Sequence, residues 1–324
     1  MRADVTLVTG ATGFAGWHLL SSLDQRGTLV GCCRPGGQPP KPGGRIIWQG
    51  VDLTNRDSVI SAVAETRPSR IFHVAGAPNV ATSWSSAVSH LAVNALGTHH
   101  VLEAVRLRGE PCRVLVVSSG QIYRSSDDPI DENAPLAPSN PYGLSKLAQD
   151  QLALNVARDE RLDVVVARPF NHIGPGQQPG FAVSSFARQI ARIERGLEPP
   201  TIRVGNLEAR RDITDVRDVV RAYGRIMEAG TSGRAYNVCS GRSWRIRDLL
   251  HELLNLSSAP IDVEIDAARF RRNDVPIVQG DGSRIRSELD WTPTIRVEQT
   301  LRDTLEWWRE QISDQQKAEN SRLG

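Results

Sequence analysis

Lysine is almost missing from this 324-residue sequence: of 39 basic residues only Lys41, Lys146 and Lys317 carry an ammonium, and the rest are arginines. Aromatic residues are scarce at 5%, and an excess of either charge is missing too. With 37 acidic residues the formal net charge is +2, too weak a field to announce nucleic acid or an anionic membrane, so an anionic ligand has to be held by local arginines. No apolar run approaches the ~18 residues of a membrane helix. The opening MRADVTLVTG enters a strand-like pattern where a secretory signal would have a basic and then an apolar region. A soluble, cytoplasmic protein without membrane or nucleic-acid partners is expected. The four cysteines, Cys32, Cys33, Cys112 and Cys239, have no C-x-x-C spacing, which predicts free thiols and no metal. What is present is a 40% apolar content, enough for a sizeable core, in a chain longer than one core of roughly 250 to 300 residues. Two joined lobes are therefore expected.

Short β-branched runs alternate with longer helical stretches, the rhythm of βαβ units. Strands are predicted at 5–9, 28–33, 46–50, 70–75, 113–119 and 163–169, with helices near 14–25, 55–66, 87–108 and 143–160. The runs lack polar alternation, as strands buried on both faces do. The expected fold class is α/β, a doubly wound parallel sheet over 1–170 to which the chain returns near 212–242. A smaller C-terminal substrate domain is expected from 171–211 and 243–312. Stretch 34–44 reads as a flexible loop and 171–182 as loop. A helix near 183–196, strands near 201–204 and 235–238, and helices near 215–228, 245–255 and 297–312 complete the reading. The polar tail 313–324 is expected to be disordered.

The first strand ends in TGATGFAG, which puts Gly10, Gly13 and Gly16 at its turn into a helix. Small residues there let backbone N–H groups and the positive end of the helix approach a pyrophosphate. Phe14 and Ala15 lie inside the same loop. At the end of the second strand, where a carboxylate would bind the ribose of NAD, the sequence has Arg34, which can receive the 2′-phosphate of NADP. NADPH is therefore favoured and NADH stays open, because a lone arginine can also be a solvated loop charge. Asp52 and Leu53, then Ala75, Gly76 and Ala77, and also Pro169, lie at strand C-terminal ends, the edge where a dinucleotide binds.

After the fifth strand come SSGQIY and PYGLSK. Tyr142 and Lys146 are four residues apart and share a helix face. An ammonium beside a phenol lowers its pKa from ~10, so Tyr142 is expected to exchange a proton near neutrality. That an arginine-rich chain keeps a lysine here fits a compact charge with three donors. Ser119 is placed to bond the same reacting oxygen, with Ser118 as the alternative, since only one of the pair faces the crevice.

These motifs resemble the extended short-chain dehydrogenase/reductase family acting on nucleotide sugars, over roughly residues 1–310. RPFNHIGPGQ at 168–177, VGNLEARRDITDVRD at 204–218, YNVCSG at 236–241 and RNDVP at 272–276 are similar to members that reduce GDP-4-keto-6-deoxyhexoses. The resemblance implies that Ser119 and Tyr142 bracket a sugar carbonyl and that Lys146 holds the nicotinamide ribose. It implies that Asn171, Ser83 and Gln121 contact the sugar, and that Arg211 and Arg271 bind the nucleotide diphosphate. A homodimer through the helices near 87–108 and 143–160 is implied as well. Members that eliminate water carry a glutamate two residues before the tyrosine of the S-x-x-x-Y string, and members that epimerise at C3 and C5 carry a cysteine there. This chain has Gln121, an amide that takes up no proton. Reduction of a C4 keto group is the expected reaction. A nucleotide-sugar 4-epimerase and a GDP-mannose 4,6-dehydratase stay open as alternatives. Arg124 stands where the family usually has glycine.

Overall fold

The computed structural model describes residues 4–23, 27–37, 46–78, 82–270 and 275–323, with side chains as far as Lys317. Most of the 34–44 loop, and Arg271, lie outside the described residues. The chain opens with β1 (Val5–Thr9), α1 (Phe14–Ser22), β2 (Thr28–Cys33), β3 (Ile46–Gly50), α2 (Arg56–Thr66) and β4 (Arg70–His73). It continues with α3 (Ala87–Leu91), a π-helical turn (Ala92–Leu96), α4 (Gly97–Arg108), β5 (Arg113–Val117), α5 (Pro141–Asp159) and β6 (Val164–Pro169). Then come β7 (Asn171–Ile173), α6 (Ala182–Glu194), β8 (Thr201–Val204), β9 (Arg210–Asp215), α7 (Val216–Ala229) and β10 (Ala235–Val238). The last elements are β11 (Ser243–Arg245), α8 (Ile246–Asn255), β12 (Asp262–Ile265), β13 (Ile277–Val278), α9 (Ser283–Leu289) and α10 (Val297–Leu323).

Seven strands form one parallel sheet in the order β10-β6-β5-β4-β1-β2-β3. The order reverses beside β1, which opens a crevice at the C-terminal ends of β1 and β4. Both faces are covered, as the unalternating strands require. On one face Leu19 and Leu20 of α1 and Val219, Tyr223 and Ile226 of α7 pack on Leu115 and Val165. On the other, Val59 and Val63 of α2, Val101 and Val105 of α4 and Ala153 of α5 pack on Ile71, Val114 and Val116. A second core joins Phe186 and Ile190 of α6, Leu249 and Leu253 of α8, and Leu301, Leu305 and Ile312 of α10.

Three expectations are corrected. Residues 171–173, read as loop, form β7, because β9 supplies a parallel partner with Asn171 opposite Ile213. Residues 283–291, read into the substrate domain, pack on the first core: Ile285 and Leu289 share one face of α9, and Trp291 donates its indole N–H to the Asp218 carbonyl at 3.2 Å. The tail from 313, read as disordered, continues α10 to Leu323. Buried Trp308 and Ile312 anchor the helix, and the residues after them hold no proline, and no glycine before Gly324, to stop it.

Candidate active site

At the end of β1 the glycines leave no room for side chains. Gly10 has φ +68°, and a Cβ on it would sit 2.7 Å from the Ala75 backbone, while one on Gly16 would sit 2.1 Å from the Gly10 carbonyl. The loop thus folds onto itself and onto the residues after β4. Gly13 starts α1 with no side-chain cap, so its first N–H groups are available to an anion. Phe14 stacks on His172 with ring centroids 5.8 Å apart, and His18 bonds the Pro175 carbonyl at 2.8 Å. The glycine loop and the chain after β7 are therefore packed as one unit.

Arg34 is exposed at the end of β2, and no carboxylate accompanies it on that strand. Asp52 accepts from the Thr54 N–H at 2.9 Å and its hydroxyl at 2.7 Å. Those bonds, and to a lesser degree the charge of Arg34, hold its carboxyl below the usual range. The Leu53 carbonyl accepts from His100 Nδ1 at 2.8 Å, and Pro169 is buried opposite Val238. A compact glycine cradle with an arginine at the end of β2 fits NADP.

α5 is capped by Asn140, whose Oδ1 accepts the Gly143 N–H at 2.8 Å. A side chain at Gly143 would meet the Gln121 carbonyl at 2.5 Å, so glycine is what brings the helix start against the segment after β5. That contact sets Tyr142 against Ser119, whose hydroxyl acts on the phenol. Ser119 Oγ also accepts the Gln121 N–H at 3.1 Å, whereas Ser118 is turned to the Lys146 carbonyl at 3.4 Å. Ser119 is the member of the pair at the site. The Gln121 Oε1 accepts from Asn140 at 3.4 Å. Lys146 is buried, and its ammonium donates to the Val117 carbonyl at 2.7 Å and to Gln149 Oε1 at 2.6 Å.

This arrangement corrects the expected direction for Tyr142. Burial raises its pKa above the usual phenol value, offset in part by the nearby Ser119 hydroxyl, while desolvation brings Lys146 down to about 7. The two share a helix face, but the ammonium is taken up by β5 and Gln149, and loss of solvent outweighs charge proximity at the phenol.

On the substrate side, β9 gathers what the sequence scatters. Asn171 pairs opposite Ile213, and Arg211 lies two residues earlier on the same strand, 8% exposed and facing Trp244 across the β9–β11 pair. Ser83 is buried in the turn before α3. Ala77 donates its N–H to Asn94 Oδ1 at 2.8 Å.

Several polar residues at the site were missed from sequence. Asn94, Thr98, Gln149, His73 and Thr9 are all buried and mutually bonded beneath Gly76 and Lys146. Asp150, wholly buried, holds Arg168 through bonds of 2.9 and 2.8 Å, and Arg168 also donates to the Tyr123 hydroxyl at 2.8 Å. The available signal was Gln149 and Asp150, polar residues three and four positions beyond Lys146 on a buried helix. Among the described residues no helix is long and apolar enough to cross a membrane, and no cluster of His, Cys, Asp or Glu could hold a metal.

A doubly wound parallel sheet, a glycine cradle and a Ser-Tyr-Lys set in one crevice define an extended short-chain dehydrogenase/reductase, an NAD(P)-dependent oxidoreductase. The chain belongs, more narrowly, to the GDP-mannose 4,6 dehydratase family, which it matches over residues 7–304. It is 36% identical to the GDP-6-deoxy-D-mannose reductase of Pseudomonas aeruginosa, over 95% of this chain and 98% of that one. The solved structure of RMD from Pseudomonas aeruginosa complexed with NADPH superposes with a TM-score of 0.83 at 35% identity, covering 95% of this chain and 99% of the other. A dTDP-glucose 4,6-dehydratase of Streptomyces niveus is 31% identical over 80% of this chain and 75% of its own.

Proposed function

We propose that the protein reduces the C4 keto group of a GDP-4-keto-6-deoxyhexose with NADPH, converting GDP-4-keto-6-deoxy-D-mannose to GDP-6-deoxy-D-mannose. One observation carries the choice among reactions: beside Ser119 and Tyr142 stands Gln121, where elimination or epimerisation needs a group that takes up a proton. The likeness to the Pseudomonas reductase and to the NADPH complex supports the substrate and the cofactor.

The reduced nicotinamide, when bound, supplies a hydride for C4. Tyr142 donates the proton to the carbonyl oxygen, and burial keeps the phenol protonated for that role at neutral pH. Ser119 donates a hydrogen bond to the same oxygen as negative charge develops. Lys146, with Val117 and Gln149 fixing two of its N–H bonds, offers the third to the ribose, and its charge favours the phenolate left by transfer. Arg211 and Arg271 hold the diphosphate by bidentate contacts, and Asn171, Ser83 and Gln121 orient the sugar. The cofactor lobe comprises 1–170 with the returning segments, and the second core carries the substrate lobe. A homodimer forms through α3, α4 and α5, where Val88 is 81% exposed and Leu144 52%. The enzyme works in the cytoplasm, which holds NADPH and nucleotide sugars.

The test adds GDP-4-keto-6-deoxy-D-mannose to the protein with NADPH and, separately, NADH, tracking reduced-nicotinamide absorbance and identifying the sugar product. Stoichiometric oxidation, faster with NADPH, is expected. No oxidation with either cofactor overturns the reading, and a nicotinamide that survives dialysis would favour an epimerase.

A further inference from the structure

We infer that Gln149 is a positioning residue for the reaction: its side chain fixes the Lys146 ammonium and couples it, through Thr98 and His73, to Thr9 and the backbone at the cofactor crevice. The inference rests on the reductase reading for the role of Lys146, and on the geometry for everything else.

The direction of every bond in this chain is set by its two ends. An ammonium only donates, so Gln149 must turn Oε1 to Lys146, at 2.6 Å, and its NH2 to Thr98 Oγ1, at 2.7 Å. The Thr98 hydroxyl has one proton, and it goes to the Asn94 carbonyl at 2.6 Å. Thr98 Oγ1 therefore accepts from His73 as well, at 2.9 Å, which fixes the His73 proton on Nε2. His73 Nδ1 is left as an acceptor for the Thr9 hydroxyl at 2.8 Å, and Thr9 Oγ1 accepts the Ala75 N–H at 3.3 Å. Burial keeps His73 neutral, with its pKa brought down to about 3, as this pattern requires. A buried network with every member satisfied holds one geometry. Its outcome is a donor count at Lys146. Two N–H bonds are committed to Val117 and Gln149, and the third faces the crevice at Gly76, where the first atom of any side chain would lie 3.4 Å from the ammonium.

The charged and titratable groups that act on the ammonium are Asp150 on α5, neutralised by Arg168 of β6, and neutral His73 on β4; Tyr142 lies one turn earlier on α5, with His90 of α3 packed against its ring. Gln149 is the side-chain acceptor among them and carries no charge. Removing it makes the ammonium harder to hold, so Lys146 loses its proton at lower pH. Gln149→Met is expected to move the alkaline limb of the kcat/KM profile down by about one pH unit, a tenfold loss on that limb. Gln149→Glu, which puts a carboxylate in the same place, is expected to move it up. A purely structural role would move both variants alike or neither, and either result overturns the inference. Thr98→Val, which keeps Gln149 but removes its partner, is expected to shift the limb downward by less, and serves if Gln149→Met does not fold. NADPH binding measured by nicotinamide fluorescence across the same pH range needs no sugar. It is expected to weaken at lower pH in Gln149→Met than in the unaltered protein, and an unchanged dependence overturns the inference even where the sugar substrate proves to be another.

Discussion

The two halves of the active site are built by different means. The cofactor half is made by main chain: at Gly10 and Gly16 the loop and the residues after β4 approach so closely that one added carbon would collide with backbone. The substrate half, as proposed, is made by side chains, Asn171, Arg211 and Ser83, delivered by β7, β9 and the turn before α3. Main-chain construction gives a site that a single crossover specifies and that accepts one class of ligand. Side-chain construction leaves each contact replaceable by itself, so substrate preference can change while the cofactor does not.

That contrast can be broken or sharpened by substitution. The largest effect is expected where the halves meet: Tyr142→Phe should lower kcat by about 10²- to 10⁴-fold with NADPH binding retained, measured by turnover and fluorescence titration. Normal turnover would remove Tyr142 from the proton step. Next is Arg168→Met, which strands buried Asp150 without its partner and should cost about 3–5 kcal/mol of folding stability, read in a denaturant titration. An unchanged midpoint would mean the α5–β6 pair holds nothing in place. On the substrate side, Arg211→Ala removes the proposed contact to a charged phosphate, expected at about 1.5–3 kcal/mol, so KM should rise about 10- to 150-fold with kcat little changed. A fall in kcat alone would show that Arg211 acts on the reacting sugar. The smallest effect belongs to Arg34→Ala. An exposed charge contributes about 0.2–1 kcal/mol, so the preference for NADPH over NADH should shrink about 1.4-fold to fivefold in kcat/KM ratios.

The same contrast governs what could be read from the residues alone. The parallel sheet, the glycine turn and the Tyr142–Lys146 spacing are local patterns, and each lies where expected. Strand β9 was not legible, because ARRDITD is mostly charged or polar and becomes a strand through β7, β11 and β13, which are at most three residues long. The direction of the Tyr142 shift depends on burial, a property of the assembled molecule. The bonds from Gln149 to Thr98 and from Thr98 to His73 span 51 and 25 positions in the chain, beyond any local periodicity. The tail failed for another reason: polar composition was read as disorder, though the helix ahead of it was already anchored by Trp308 and Ile312.

The π-helical turn at Ala92–Leu96 has a consequence for how this helix tolerates length changes. Such a turn holds one residue more than regular winding, and here it brings Asn94 onto both the Ala77 N–H and the Ser145 hydroxyl. Deleting one residue within it would let the helix rewind as a regular one with the turns of α4 left in phase, so the buried face of α4 keeps its partners and Asn94 alone loses its placement. Deleting one residue inside α4 has no such slack and swings every later turn by about 100° about the axis. The wide turn is thus the one place in this helix where the loss of a residue is absorbed locally.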